Sequence, residues 1–457
     1  MYRTVETEKK TECAFLVGVE MAAQPSVWTI EDSLEELGQL AVAAGAQVVG
    51  ATTQKLRSPN PGHYIGTGKI EQLQELKTEL RYDMVIFDDE LSPVQQRNLE
   101  QELGVKVIDR TGLILDIFSQ RAQTREGRLQ VELAQYEYLL PRLTRQWTHL
   151  SRQEGGVGAR GGPGETQLEV DRRRVRQRIT DLKQEIEGVR KHRALYRQQR
   201  ERDGVPVIAL VGYTNAGKST LLNTLTQAGV TAHDRLFDTL DPTTRRIKLP
   251  SGRTALLSDT VGFIQKLPPA VVAAFRATLE ELELADALVQ VLDITHPCGF
   301  EHSQTVGKIL GELGLSDKPI VTALNKIDRL AQVENLEHDN GSYRAFLGEA
   351  WKPLQELMAH YPQAVPISAE RRWGLHELLQ KIDDVLGDDL VDMEVRLPYS
   401  AGDLVALFHS NAIVKKRSYG KDGVTLRGRV SQKLVKAFEK YRVHGRSGAV
   451  RGTGVTG

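Results

Sequence analysis

Cysteine is nearly absent from this chain of 457 residues: Cys13 and Cys298 are all there is. Two thiols cannot build a disulfide framework or a four-cysteine zinc site, and they suit a reducing compartment. Long apolar runs are missing too. No stretch approaches the roughly 18 apolar residues of a membrane helix, which excludes a membrane span. The opening segment, Met1 to Lys10, is polar and has no apolar signal core, so a cytoplasmic protein is expected. A surplus of either charge is lacking as well: 60 Lys and Arg face 60 Asp and Glu. Hydrophobic residues, at 40%, still suffice for real cores and rule out a wholly disordered chain. At about 100–200 residues per domain, the length calls for two to four domains.

The zero net charge hides a pattern. Residues 1–110 hold 11 basic and 18 acidic residues, net −7, and residues 203–390 hold 17 and 25, net −8. Residues 171–202 hold 12 and 5, net +7, and residues 391–457 hold 13 and 5, net +8. Two basic blocks point to contact with a polyanion; the alternative is a solvated helix plus a basic tail.

The expected architecture is α/β and multidomain. Residues 1–110 read as an N-terminal α/β domain, with strands at Ala14 to Val19, Ala46 to Ala51, Met84 to Phe87 and Val105 to Ile108. Helices are expected at Ser33 to Ala43, Lys69 to Leu80 and Pro93 to Leu103, the last with Ser92 as cap and proline at its first position. Residues 111–202 read as a long helical hairpin. One helix covers 112–150 with a break at Pro141, and a second runs from Glu165 to Arg202 with a seam of Val175, Ile179, Leu182 and Ile186. The tip between them, Gly155 to Gly164, has six glycines in ten residues and can hold no regular element. Residues 203–390 return to strand–helix alternation, a doubly wound sheet. Residues 391–457 form a small basic α+β domain, with strand-like pieces at Asp403 to Phe408 and Val424 to Val430 and a helix from Gln432 to Tyr441.

The chemistry sits in the third segment. The apolar run Val207 to Val211 leads into Gly212-Tyr213-Thr214-Asn215-Ala216-Gly217-Lys218-Ser219 and a helix. Gly, four residues, Gly-Lys-Ser between strand and helix is a phosphate-binding loop. Its backbone N–H groups point at phosphate oxygens, and the helix start adds about half a positive charge. Lys218 can neutralise the β and γ phosphates, and the Ser219 hydroxyl can hold Mg²⁺. The loop alone does not separate ATP from GTP. Leu256 to Ser258 ends in Asp259-Thr260-Val261-Gly262, where the carboxylate can reach Mg²⁺ through water and the Gly262 N–H can sense a γ-phosphate. Ile320 to Leu324 leads into Asn325-Lys326-Ile327-Asp328. Asp328 can accept from guanine N1–H and its 2-amino group; adenine lacks both donors and would strand a partly buried carboxylate. Asn325 can bond the purine edge and Lys326 can cover the base. Val365 to Ile367 ends in Ser368-Ala369-Glu370, where the Ala369 N–H could meet the guanine 6-oxygen.

Four such signals in this order resemble the translation-factor-like GTPases. Gly161-Gly162-Pro163-Gly164-Glu165-Thr166-Gln167-Leu168-Glu169 followed by Asp171-Arg172-Arg173 is similar to the signature of the HflX family of ribosome-associated GTPases. So are Phe237-Asp238-Thr239-Leu240-Asp241-Pro242-Thr243-Thr244-Arg245, Asp259 to Phe263, and Ile65-Gly66-Thr67-Gly68-Lys69. The resemblance covers about residues 13 to 440. It implies GTP and GDP as ligands, binding to the large ribosomal subunit and its RNA, and separation of stalled or idle ribosomes. An RNA-modifying GTPase and a regulator of a protein partner are the alternatives. A monomer is the expectation.

Several roles stay open at this level. By resemblance Thr239, within Phe237 to Asp241, is the first-switch threonine that closes on Mg²⁺ with Ser219; Thr243 and Thr244 are the alternatives. With Lys218 and Gly262 it forms the catalytic set. Phe263 stands where many GTPases carry a glutamine that orients water, so slow intrinsic hydrolysis is expected, with Gln265 as a nearby substitute. Asn215 resembles an asparagine that helps hold K⁺ in some GTPases, or it shapes the loop. The resemblance also implies ATP at the glycines of Ile65 to Lys69, the alternative being a glycine-rich turn before a helix.

Overall fold

The computed structural model describes residues 11–22, 28–143, 167–226, 237, 243–266, 268, 271–272, 276–330, 344, 347–361, 363–387 and 390–443. Strands β1 (Cys13–Met21), β2 (Gln47–Leu56), β3 (Met84–Phe87) and β4 (Lys106–Asp109) form a parallel sheet in the order β2-β1-β3-β4. β3 is buried at every position, which is why it reads as an unbroken apolar run. Helix α1 (Ile30–Ala43) starts three residues earlier than its apolar pattern suggests, because Thr29 and Asp32 cap it reciprocally. Helix α2 spans Thr67–Leu80. α3 (Pro93–Leu103) begins at Pro93, with Ser92 and Gln95 closing a second capping box.

The expected single helix over 112–150 is two helices, α4 (Arg110–Arg121) and α5 (Arg125–Leu139). The interruption lies at Ala122–Thr124. There Thr124 caps the second helix by accepting from the Gly127 N–H at 3.0 Å, and the Arg128 side chain takes the Ala122 carbonyl at 3.1 Å. One N–H at the start of α5 and one carbonyl just past the end of α4 are thus satisfied, which periodicity alone does not reveal. α5 stops two residues before Pro141. α6 (Gln167–Asp203) packs on α5 through Leu129, Leu182 and Ile186. Arg178 to Glu132 at 2.9 Å and Lys183 to Glu137 at 2.8 Å lace the pair. The glycine-rich tip, with Arg152 and Arg160, lies outside the described residues.

The next sheet has the order β10-β9-β8-β5-β7-β6. It contains β5 (Val207–Gly212), β6 (Thr243–Lys248), β7 (Thr254–Asp259), β8 (Ala287–Asp293), β9 (Ile320–Asn325) and β10 (Val365–Pro366). All pairs are parallel except β6 with β7. Helix α7 (Lys218–Thr226) follows β5. The last sheet is antiparallel, β11 (Leu390–Pro398), β13 (Gly423–Ser431) and β12 (Ala412–Tyr419) in that order. Asp403 to Phe408, expected as a strand, lies in the helix Gly402–Asn411. Its unbroken apolar run fits either element. The outcome follows from Phe408, which packs edge-on against Phe438 at 5.3 Å beneath the sheet.

One apolar cluster joins the first two sheets. It runs from Leu16, Leu37 and Ile86 through Ile114 and Phe118 to Val211, Phe237, Phe263, Ile264 and Leu282. Phe118 of α4 meets Phe237 edge-to-face at 4.8 Å.

Candidate active site

The parallel strands β5, β7, β8, β9 and β10 deliver their following loops to one edge of the sheet, the edge where doubly wound sheets bind ligands. β5 is buried throughout and turns at Gly212 into the phosphate loop. Gly217 takes φ +97°, and a Cβ there would lie 2.3 Å from the Asn325 side-chain nitrogen, so only glycine fits. Lys218 is 6% exposed. Its Nζ donates to the carbonyls of Gly212 at 3.1 Å and Tyr213 at 2.7 Å, and burial lowers its pKa to about 8. Ser219 Oγ donates to Asp259 Oδ2 at 2.7 Å. Hydroxyl and carboxylate are the hard oxygen donors that Mg²⁺ takes alongside phosphate and water, so these residues fit that ion.

After Asp259 the chain runs along the phosphate loop. The Phe263 N–H donates to the Gly212 carbonyl at 3.0 Å, and the Thr214 N–H donates to the Phe263 carbonyl at 2.8 Å. Gly262 lies so close that a Cβ would stand 2.7 Å from Thr214 Cα and 3.0 Å from Lys218 Nζ. One loop N–H that a phosphate could use is therefore engaged by the Phe263 carbonyl. Thr260 Oγ1 donates to the Leu210 carbonyl at 2.6 Å, and Val261 is buried.

The loops after β9 and β10 meet the phosphate loop through one side chain. Asn325 Nδ2 donates to the Ala216 carbonyl at 2.8 Å, and Asn325 Oδ1 accepts from the Ala369 N–H at 3.0 Å. The expectation gave Asn325 to the purine edge and the Ala369 N–H to the 6-oxygen. In this structure the Ala369 N–H is met by Asn325 Oδ1 and the Asn325 Nδ2 by the Ala216 carbonyl, so both ends of the buried amide are satisfied. Lys326, at φ +68°, sends Nζ to Asp293 Oδ2 at 2.7 Å. Burial works against the Asp293 charge, but hydrogen bonds from Lys326 and Thr295 outweigh it and hold the carboxyl below its ordinary pKa. Ile327 is buried, and Asp328 is half-buried in the short 3₁₀ helix Ile327–Leu330. Ser368 is fully buried and Glu370 exposed. Asn215 is exposed at the loop's rim with φ +60°. Of the segment expected as the first switch, Phe237 is described; Asp238, Thr239, Leu240 and Asp241 lie outside the described residues.

Residues 31–119 match the family described as GTP-binding GTPase N-terminal, 121–200 the GTP-binding GTPase Middle Region, and 207–326 the 50S ribosome-binding GTPase. GTPase HflX of Caldanaerobacter subterraneus subsp. tengcongensis is 43% identical over 411 residues, 90% of each chain. GTPase HflX of Escherichia coli (strain K12) is 42% identical over 393 residues, 86% of this chain and 88% of its own. The chain belongs to the HflX family of GTPases. It is an enzyme that hydrolyses GTP. A solved structure of SsGBP in complex with GDP is 28% identical and covers 82% of this chain and 98% of its own, with a TM-score of 0.44.

In this HflX-family GTPase the segment after Gly262 is held from the other side by residues that sequence reasoning missed. Arg110, at the start of α4, is 1% exposed. It donates to Asp88 Oδ1 at 2.7 Å, to the Gln265 carbonyl at 3.0 Å and to Glu36. Burial lowers its pKa to about 10, so it stays charged at neutral pH. Glu36 also accepts from the Tyr213 hydroxyl, which in turn accepts from the Gln265 N–H at 2.8 Å. Lys266 reaches Asp88 and, at 2.7 Å, Asp89. The Gln265 side chain faces Ser33 at 3.4 Å and not the phosphate loop, so it does not stand in for a water-orienting glutamine here. The available signal was Asp109-Arg110, two charges at a strand end directly before an apolar helix. The N-terminal glycines are built on internal contacts: the Gly66 N–H donates to Gln54 Oε1 at 3.1 Å and Lys69 Nζ to Thr52 Oγ1 at 3.0 Å.

Proposed function

We propose that this GTPase works on the ribosome, binding the large subunit and its RNA through the hairpin tip and separating stalled or idle ribosomes. The supporting observation is mechanical. Phe237 of the first switch and Phe263 to Lys266 after the second motif all lean on the N-terminal sheet and α4. The same unit anchors the hairpin: Tyr138 and Arg142 bond Asp109, the neighbour of Arg110, at 2.7 and 3.0 Å. A change at the phosphates therefore has a solid path to the hairpin base.

In this reading GTP contacts Gly212 to Ser219, Phe237 to Asp241, Asp259 to Gly262, Asn325 to Asp328 and Ser368 to Glu370. Lys218 leaves its two carbonyls for the β and γ phosphates. The Gly262 N–H turns to the γ-phosphate, which requires the Phe263 bridge to open. Asp328 selects guanine. Ser219 and Thr239 would hold Mg²⁺, with Asp259 beside Ser219. The ion would supply neutralisation of phosphate charge. Asn215 would hold K⁺, which would add positive charge as the leaving oxygens become negative. Phe263 cannot hydrogen-bond water, so turnover is slow until the ribosome completes the site. The test is co-sedimentation with ribosomes and a non-hydrolysable GTP analogue, using the parent and a deletion of Gly155–Gly164. The deletion should lose ribosome binding or separation and keep GTP affinity. Equal binding and separation by both proteins would overturn the hairpin's role.

A further inference from the structure

The C-terminal sheet carries a surface that neither the nucleotide site nor the hairpin uses. β12 is an edge strand, and every residue from Lys415 to Tyr419 is exposed. Lys415, Lys416 and Arg417 stand in a row, and Lys421 follows in the turn to β13. Lys415 is matched by Asp392 at 2.6 Å. The register sets Lys416 directly beside Arg427 on the neighbouring strand, with Glu394 on the far side of Arg427.

A second observation is independent of charge. Tyr399 and Tyr419 are 56% and 63% exposed and, with Phe300, are the large exposed aromatic rings among the described residues. Both stand at one corner, because the Tyr399 hydroxyl donates at 2.9 Å to the carbonyl of Gly420, which follows Tyr419. The Arg417 guanidinium lies 4.4 Å over the Tyr419 ring. Two rings are thus fixed facing outward, one of them already stacked with a cation.

We propose that this corner is an RNA-binding surface, separate from the hairpin, on which phosphates meet Arg417, which shares a sheet face with Tyr419, and Lys421 in the adjoining turn, while unstacked bases lie on Tyr419 and Tyr399. Flat rings among cations are what a single strand or an RNA loop uses. An acidic protein has use for the cations but not for the two faces. A lipid surface calls for large aliphatic side chains to insert, and among the described residues of 390–443 the large exposed apolar side chains are the two tyrosines and Val443. Edge lysines that merely repel other strands explain the charges and leave the rings without a role.

The test uses the full chain, a labelled oligouridine and fluorescence anisotropy over a salt series. Changing Arg417 and Lys421 together to Gln should flatten the slope of log affinity against log salt by about 1.4, since each single-strand phosphate contact contributes about 0.7. Tyr399→Leu with Tyr419→Leu should weaken binding roughly tenfold and leave the slope alone. Lys421→Glu, in the turn and outside the strands, should weaken binding on its own. Thermal midpoint and GTP affinity should stay at parent values in all three, which separates failure here from failure of the nucleotide and hairpin readings. Unchanged oligouridine affinity in all variants would overturn the proposal. So would loss confined to the charge variants, which marks an acidic-protein or non-specific surface. Phosphatidylserine vesicles bound more tightly than RNA, and released by the same changes, would assign the corner to lipid and overturn it as well.

Discussion

Replacing Arg110 by Ala removes the cation between two carboxylates that have little access to water: Asp88 is 0% and Glu36 8% exposed. Breaking a buried ion pair from one side costs about 3–5 kcal/mol, because the remaining charge is stranded. Asp88 keeps Lys266 and the Ser33 hydroxyl at 2.7 Å, and Glu36 keeps the Tyr213 hydroxyl. The loss should therefore fall at the lower end, about 3 kcal/mol. The sign of its pH dependence is fixed. Burial already raises the Asp88 pKa above its ordinary value, and losing Arg110 raises it further. The folded variant then binds more protons than the unfolded chain, so its stability falls as pH rises through the raised pKa. Urea unfolding followed by tryptophan fluorescence at roughly pH 5.5 and pH 8 measures both effects, with the deficit expected to be larger at the higher pH. Arg110→Lys should recover part of the loss, since one ammonium cannot reproduce a fork that reaches three acceptors. A deficit below about 1 kcal/mol, the scale of an exposed pair, would refute the argument that this network is buried and depends on its cation.

Asp328→Asn should lower GTP affinity on the order of 100-fold and gain xanthosine triphosphate, measured by nucleotide competition; unchanged GTP affinity would remove Asp328 from the base site. Burial holds Lys218 at about 8, and phosphate should restore its charge. GTP binding above that pH should therefore take up a proton, and calorimetric heats should differ between buffers of unlike ionisation enthalpy. By the same linkage Lys218 weighs against folding near neutral pH and less as pH climbs from about 8 toward its ordinary value. Lys218→Met should accordingly raise the thermal midpoint of the nucleotide-free protein while abolishing GTP binding. Gly262→Ala places a Cβ 2.7 Å from Thr214 Cα. It should cost the nucleotide-free protein about 1–3 kcal/mol, read as a lower thermal midpoint; an unchanged midpoint would mean that the segment stands clear of the loop.

The GTPase sheet was legible because each of its motifs sits at the end of a buried apolar strand, and strand plus motif names both element and edge. The start of α3 was legible from Ser92 and Pro93, whereas that of α1 was missed by three residues although Thr29 and Asp32 stood in the sequence as a capping pair. The C-terminal sheet was read poorly. Leu390 to Pro398 alternates buried and less buried positions, a strand pattern that was there to be seen. Leu404 to Phe408 carries no such alternation, and only the docking of Phe408 on Phe438 decides it. The Arg110 network was not legible, because its members come from α1, the end of β3, α4 and the two phosphate-site loops. Nothing local pairs Glu36 with Tyr213. The internal bonds of Asn325 were hidden for a similar reason: a motif names a residue but not the protein groups that share its amide.

The apolar contact between Phe118 and Phe237 has a consequence for synthesis. The two residues are 119 positions apart in the chain. At about 5–20 residues per second, the face of α4 that Phe237 covers waits roughly 6–24 s for its partner to leave the ribosome. A sheet of four strands folds meanwhile with part of its neighbour's seat empty. During each round of translation that patch stands open to chaperones, and a pause in elongation anywhere between the two phenylalanines lengthens the time it stays so.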